Sequence, residues 1–146
     1  MTMEPGIARS RHRGFTLIEL LIALAIVAIL VRIAFPSYQA YIVRSSRQAA
    51  QSELVALANA QERIFLNSNA YSVASGSMTA AYTGQSGGGL GVTGGKSKDQ
   101  RYTFSVAGTA TTFTLTATPV TGTPQAGDGN LTITETGQRT WGSKTW

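Results

Sequence analysis

The sequence predicts an α+β protein in which one long amino-terminal helix packs on a small antiparallel sheet of three or four strands. Residues 15–35 are almost continuously apolar, and residues 37–66 contain neither Gly nor Pro. Together they predict a single helix of about 50 residues. From residue 101 onward, apolar and polar residues alternate, which indicates strands with one buried and one solvated face.

These changes of pattern divide the chain into five segments. We expect a leader (1–14), an apolar transmembrane or assembly half-helix (15–36), an amphipathic half-helix (37–66), a Gly-rich loop (67–100), and a sheet with a carboxyl-terminal loop (101–146).

The apolar run is long enough to cross a bilayer. At 1.5 Å per residue it spans about 31 Å, close to the hydrocarbon thickness. Basic residues precede it at Arg9, Arg11 and Arg13, which predicts a targeting signal whose amino terminus stays in the cytoplasm. A plain single-pass anchor and a long signal sequence both satisfy this pattern.

Beyond the run, Pro36 removes one helical hydrogen bond but is predicted not to end the helix. A stripe of residues at three- and four-residue spacing then predicts the face that packs on the sheet. Its members are Leu54, Leu57, Ala58, Gln61, Ile64 and Phe65.

The remaining chain predicts a loop and then a meander. The Gly-rich stretch 84–95 lacks the strand-loop-helix context of a phosphate-binding loop, so we expect a plain loop. Alternation predicts strands at 102–106, 113–118 and 131–134, and a turn at Gly137 leads into Arg139–Trp141.

Composition argues against catalysis. The chain has no Cys, its one His is His12, and its carboxylates are scattered. Ser-His-Asp and Cys-His nucleophiles and typical zinc sites are therefore excluded from the chain after residue 14. We expect no catalytic residues, metal or cofactor.

The domain after Pro36 is mildly basic, with eight Lys or Arg against five Asp or Glu. One interpretation is a DNA contact with aromatic stacking surfaces at Tyr102, Trp141 and Trp146. Its candidate cations are Lys96, Lys98, Arg101, Arg139 and Lys144. The alternative, which we favour, is a solvated face with buried aromatics.

The segment GFTLIELLI, from Gly14 to Ile22, resembles the class III signal of type IV pilins and type II secretion pseudopilins. The resemblance extends through Phe35-Pro36-Ser37-Tyr38. It implies that prepilin peptidase cuts between Gly14 and Phe15 and that Phe15 is N-methylated. It also implies assembly roles for Glu19 and Pro36.

Glu19 is unusual because a carboxylate in a spanning helix costs about 2.5–3.5 kcal/mol on insertion scales. The resemblance implies that it pairs with the terminal amine of a neighbouring subunit. Snorkelling to the headgroups, or pairing with the amine of its own Phe15, are the alternatives. Arg32 departs from the family pattern, and we expect its long side chain to reach the outer membrane interface. The alternative is a contact with a carboxylate of a neighbouring subunit in the filament.

The carboxyl-terminal half is similar to minor pilins of the PilE and ComP-like type, at residues 102–104, 117–119, 129–133 and 137–141. A disulfide that is common there in the family has no counterpart in this chain. We expect packing, through Trp141 and Trp146, to hold the carboxyl-terminal loop instead; the alternative is that this loop is mobile.

The resemblance implies a structural subunit of a type IV pilus, more specifically a minor pilin, supporting twitching motility, adhesion and DNA uptake. Its implied partners are other pilin subunits, prepilin peptidase, the inner-membrane assembly platform and, before assembly, the membrane. Its implied location is the bacterial inner membrane and then the extracellular filament. The alternatives are a DNA-binding pilin acting in competence and a type II secretion pseudopilin.

Overall fold

A computed structural model describes residues 14–146, and these residues form one helix followed by a five-stranded antiparallel sheet. The predicted leader lies outside the described residues except for Gly14. The chain divides into two compact units, one ending at Tyr38 and one from Gln39 to Trp146. Each unit is described by itself.

Helix α1 runs from Leu17 to Ser68, and Pro36 lies inside it. Its start is capped, because the Thr16 hydroxyl accepts the backbone N–H of Glu19 at 3.2 Å. Its end is the turn at Asn69, whose backbone has a φ of 54° and whose N–H bonds to the Phe65 carbonyl. The prediction of one helix of about 50 residues is confirmed.

The sheet is a meander in which each strand pairs antiparallel with the next. Its strands are β1 (Tyr102–Gly108), β2 (Phe113–Pro119), β3 (Leu131–Thr134), β4 (Arg139–Trp141) and β5 (Lys144–Thr145). The predicted α+β fold is confirmed, and β5 adds one strand to it. Gly142, at a φ of 56°, allows the two-residue turn that folds β5 onto β4.

The core lies between the carboxyl-terminal half of α1 and the inner face of β1–β3. Of the six residues of the predicted stripe, Leu54, Leu57, Ala58, Gln61 and Ile64 are buried. The sixth, Phe65, is half-buried and packs against the core. Opposite them the strands contribute Tyr102, Phe104, Phe113, Leu115, Ala117, Leu131 and Ile133.

The loop between α1 and β1 is fixed to the helix by a buried amide. Gln61 donates to the Ser72 carbonyl at 2.7 Å and accepts the Ser72 N–H at 2.9 Å. This double hydrogen bond satisfies both ends of a polar side chain with no solvent exposure. Further along, the loop contains only a short 3₁₀ turn at Thr93–Gly95 and two isolated bridges.

Candidate functional site

The first candidate site is the apolar amino-terminal part of α1. This part is long and apolar enough to cross a membrane, and none of it is buried within the chain. Its large side chains are exposed, from Phe15 at 84% to Leu21 at 53%. Exposing so large a continuous apolar surface to water is unfavourable, so the segment requires lipid or protein around it.

Glu19 occupies the third position of α1, three residues after the capping Thr16. Thr16 and Glu19 therefore have the spacing of a capping box. The positive end of the helix dipole also stabilises the negative charge of Glu19 at this position. The favourable helix dipole at Glu19 is expected from the sequence, whereas the capping box was missed although the Thr-x-x-Glu spacing is the signal for it. Arg32 is exposed on the same segment.

The second candidate site is a cluster of basic and aromatic side chains on the inner face of β4 and β5. Two cations lie close to the Trp141 ring, with the Arg47 guanidinium carbon 3.6 Å and the Lys144 ammonium 5.2 Å from the ring centre. Arg139 lies 5.2 Å from the ring centre of Trp146. These distances are within the range of cation–π attraction. We call these five residues the basic-aromatic cluster.

Arg47 is anchored within this cluster by Asp128. Its guanidinium makes two hydrogen bonds to the Asp128 carboxylate, one of them at 2.7 Å. Tyr102 donates its hydroxyl to the same carboxylate at 2.6 Å, and Gln125 approaches it at 2.7 Å. One carboxylate thereby connects α1, β1 and the β2–β3 loop.

Burial by itself would raise the pKa of Asp128. The hydrogen bonds from Arg47 and Tyr102, together with the positive charge of Arg47, outweigh that effect and hold the pKa below its ordinary value. Burial, followed by the hydrogen bond to this carboxylate, raises the pKa of Tyr102. At neutral pH, Asp128 is therefore ionised and cancels the charge of Arg47. Among the described residues, Arg139 and Lys144 form no ion pair, although Arg139 lines a shallow cavity together with Glu62 and Glu135.

Both tryptophans hold the carboxyl-terminal segment, as expected in the absence of a disulfide. Trp141 donates its indole N–H to the Asp128 carbonyl. Trp146 donates to the Thr140 carbonyl at 2.8 Å. Both rings also pack against the hydrophobic core.

The structure divides the five cations proposed for DNA contact into two groups. Lys96, Lys98 and Arg101 precede β1 at one edge of the sheet, whereas Arg139 and Lys144 lie in β4 and β5 at the other. Sequence reasoning did not include Arg47 in the set, and nothing in its sequence surroundings indicates that it contacts Trp141.

The first group lies among acids. Lys96 and Lys98 line a cavity of about 520 Å³ together with Glu53. The Glu53 carboxylate accepts the Lys98 backbone N–H at 3.3 Å, and Asp99 accepts the backbone N–H of Arg101 at 3.2 Å. Among residues 14–146, no group of three or more His, Cys, Asp or Glu could hold a metal ion.

A pilin-type architecture is defined by these features: an exposed apolar half-helix with an acid near its start, continued by a helix packed on an antiparallel meander. The family model described as type IV minor pilin ComP, DNA uptake sequence receptor, matches residues 36–132. The prokaryotic N-terminal methylation motif matches residues 9–34. The chain belongs to the type IV minor pilin ComP family, and the pilins are structural proteins.

Curated relatives are type IV pilins too. The chain is 45% identical over 62 residues to the type IV major pilin protein PilA of Myxococcus xanthus, an alignment covering 42% of this chain and 28% of PilA. It is 50% identical over 55 residues to a fimbrial protein of Pseudomonas aeruginosa, covering 38% and 36%. With the type IV major fimbrial protein FimA of Dichelobacter nodosus it shares 46% identity over 59 residues, covering 40% and 38%. The chain thus spans about a third of the length of these relatives.

Proposed function

We propose that this chain is a minor subunit of a type IV pilus. The observation that carries the proposal is the fully exposed apolar half of α1, which bears one acid, Glu19, in its first turn. In the membrane this segment serves as a single-pass anchor with its amino terminus in the cytoplasm. In the filament, the corresponding segments of neighbouring subunits cover it.

Processing precedes assembly in this proposal. Prepilin peptidase cuts between Gly14 and Phe15 and methylates the new terminus, and the inner-membrane assembly platform then adds the subunit to the filament. The match of the methylation motif across residues 9–34 supports this order. Gly14 is exposed with respect to residues 15–146, the rest of the chain that the structure describes.

Glu19 is the residue on which assembly depends. After cleavage its carboxylate lies near the start of a helix, where the helix dipole favours an anion. In the membrane that anion is costly unless a cation is close to it. We assign the cation to the terminal amine of Phe15 in a neighbouring subunit, which sets the register between subunits.

Two substitutions separate this charge role from helix capping. Glu19→Ala removes both the charge and the capping side chain, whereas Glu19→Gln keeps a side chain that can complete a capping box. We expect both variants to be cleaved normally and both to be strongly depleted from sheared filaments, by tenfold or more. Filaments that contain the Gln variant at the wild-type level would show that Glu19 acts through capping, and would contradict pairing.

A second candidate function is direct contact with DNA, and the family match favours it. We place this contact at the basic-aromatic cluster, because Arg139 and Lys144 lie beside tryptophan rings there. Cations bind the phosphate backbone, and cation–π contacts with the tryptophan rings hold these two cations in place. At the other edge of the sheet, Glu53 and Asp99 reduce the positive potential around Lys96 and Lys98.

The test uses the full chain in detergent micelles and a fluorescent DNA duplex, with anisotropy measured over a series of salt concentrations. If two phosphate contacts are lost, the double variant Arg139→Ala/Lys144→Ala should reduce the slope of log K against log salt by about 2. The double variant Lys96→Ala/Lys98→Ala removes the same charge and should retain most of the slope. Absence of binding by the wild type at low salt, or equal loss in both double variants, would contradict this assignment.

A further inference from the structure

The outer face of the sheet, which points away from α1, is composed almost entirely of hydroxyl-bearing side chains. In β1–β5 the residues alternate between the core and this face, and every outward position is a threonine except Ser105 and Ala107. None of these side chains is charged. We call this surface the hydroxyl face.

Strand register arranges the hydroxyls in rows. Ser105 pairs with Thr116, Thr116 with Thr132, and Thr132 with Thr140. Thr140 in turn pairs with Thr145. One row of hydroxyls therefore crosses all five strands, over about 19 Å at a strand spacing of about 4.8 Å.

One pair of neighbouring hydroxyls in the row forms a direct hydrogen bond. The Thr132 and Thr140 oxygens are 2.6 Å apart. Each hydroxyl donates one hydrogen bond and accepts two, so this pair keeps one donor and several acceptor positions for a ligand. Each threonine also presents a methyl group beside its hydroxyl.

Charge and area restrict what this face can bind. A phosphate backbone or an acidic polymer would lose its hydration here without meeting a cation. The face extends about 13 Å along β1 and β2, narrows to one residue at β4 and β5, and is about 19 Å across, so its area is at most roughly 250 Å². A standard protein interface buries about 800 Å² on each partner, so a second copy of this chain or another protein would need much more surface.

We propose that the hydroxyl face binds an uncharged polysaccharide. Sugar rings present O–H and C–H groups on the same surface, which matches rows of hydroxyls and methyls without formal charge. A repeating polymer also suits a small site, since successive sugars can occupy the same site. This site lies on the opposite face of the sheet from the basic-aromatic cluster, and its binding is independent of DNA contact.

The test is retention of the full chain, in detergent micelles, on amorphous cellulose as a neutral probe and on carboxymethylcellulose beads as an anionic one. We expect retention on amorphous cellulose that does not change between low and high salt. The variant Thr116→Val/Thr132→Val/Thr140→Val keeps shape and strand preference but removes three hydroxyls. Its retention should fall about tenfold or more, since three groups that can form hydrogen bonds to a sugar are lost.

Two further variants serve as controls for the loss of the three hydroxyls. Thr93→Val/Thr111→Val/Thr121→Val changes three exposed threonines outside the face and should bind like the wild type. Replacing Thr116, Thr132 and Thr140 by Ser restores the hydroxyls and should restore retention. The proposal is overturned if the wild type is not retained on amorphous cellulose, if retention occurs only on the anionic beads, or if the Val variant at residues 116, 132 and 140 binds normally.

Discussion

Asp128 is the residue that connects most elements of the domain. Its carboxylate accepts hydrogen bonds from Arg47 in α1 and Tyr102 in β1, and its carbonyl accepts the indole N–H of Trp141. Removing the charge leaves the Arg47 guanidinium, 18% exposed, without its counterion. Breaking a buried ion pair in this way is more damaging than losing an exposed one.

We predict that Asp128→Asn lowers the free energy of unfolding by about 2 kcal/mol. The measurement is urea unfolding of the full chain in detergent micelles, followed by tryptophan fluorescence, which reports on Trp141 directly. Glu53→Gln is the matched control, because it removes a charge from a half-exposed side chain that still accepts a hydrogen bond. Equal stability of the wild type and Asp128→Asn would show that this carboxylate does not hold the elements together.

The same carboxylate makes stability depend on pH. The pKa of Asp128 is lower in the folded state than in the unfolded state. Its contribution to the free energy of unfolding is therefore complete at pH values above the unfolded-state pKa, which is near 4, and is lost as the pH falls through the folded-state pKa. The difference in unfolding free energy between the wild type and Asp128→Asn should therefore be constant at neutral pH and shrink below about pH 4. A difference that grew toward acid would contradict the assigned direction.

Among the elements, the Gly-rich loop is ordered by its own backbone. Leu90 donates to the Ser77 carbonyl, Gly91 to Ala80 and Gly89 to Ala81. The two sides of the loop are so close that a Cβ on Gly89 would lie 2.0 Å from the Ala80 carbonyl oxygen. A glycine is required here because the backbone at Ala80 of the same chain lies too close to leave room for a side chain.

Gly89→Ala should therefore destabilise this loop by about 1–3 kcal/mol, the range for overpacking, and should increase its cleavage in limited proteolysis. Gly87→Ala is the matched control, since a Cβ there meets nothing within 4 Å. Identical cleavage rates for the two variants would show that the loop adjusts without strain.

Periodicity was sufficient to predict the elements that pack in a regular way. The stripe on α1 and the alternation in β1, β2 and β3 gave the helix, the meander and the core, because burial imposes those periods on the sequence. β5 was missed, since two residues are too few to show alternation. The hydroxyl rows were missed too, because they depend on the register between strands.

Polar contacts between residues that are far apart in the chain could not be predicted from the sequence. The pairing of Arg47 with Asp128 and its contact with Trp141 join residues far apart in the chain, and charge alone does not select one partner from several carboxylates. The five candidate cations for DNA contact were selected only because they are Lys or Arg. The order of the strands in the sheet places them at two opposite edges. The capping role of Thr16, by contrast, is readable from its spacing to Glu19.

At the scale of the whole molecule, the chain combines a segment that needs lipid or protein around it with a domain that has its own core. In the proposed function, the apolar segment is surrounded first by the membrane and then by the filament. The domain offers two surfaces of different chemistry: the basic-aromatic cluster and the hydroxyl face. A pilus subunit accounts for both, because assembly buries the first segment and leaves the domain to meet other molecules.

The most direct test is mass spectrometry of this chain recovered from sheared filaments. The amino-terminal peptide identifies both the processing site and the modification, and its presence in filaments establishes assembly. We predict a chain that begins at Phe15 with an N-methyl group. A chain that begins upstream of Phe15, or one found in the membrane fraction but never in filaments, would contradict the account.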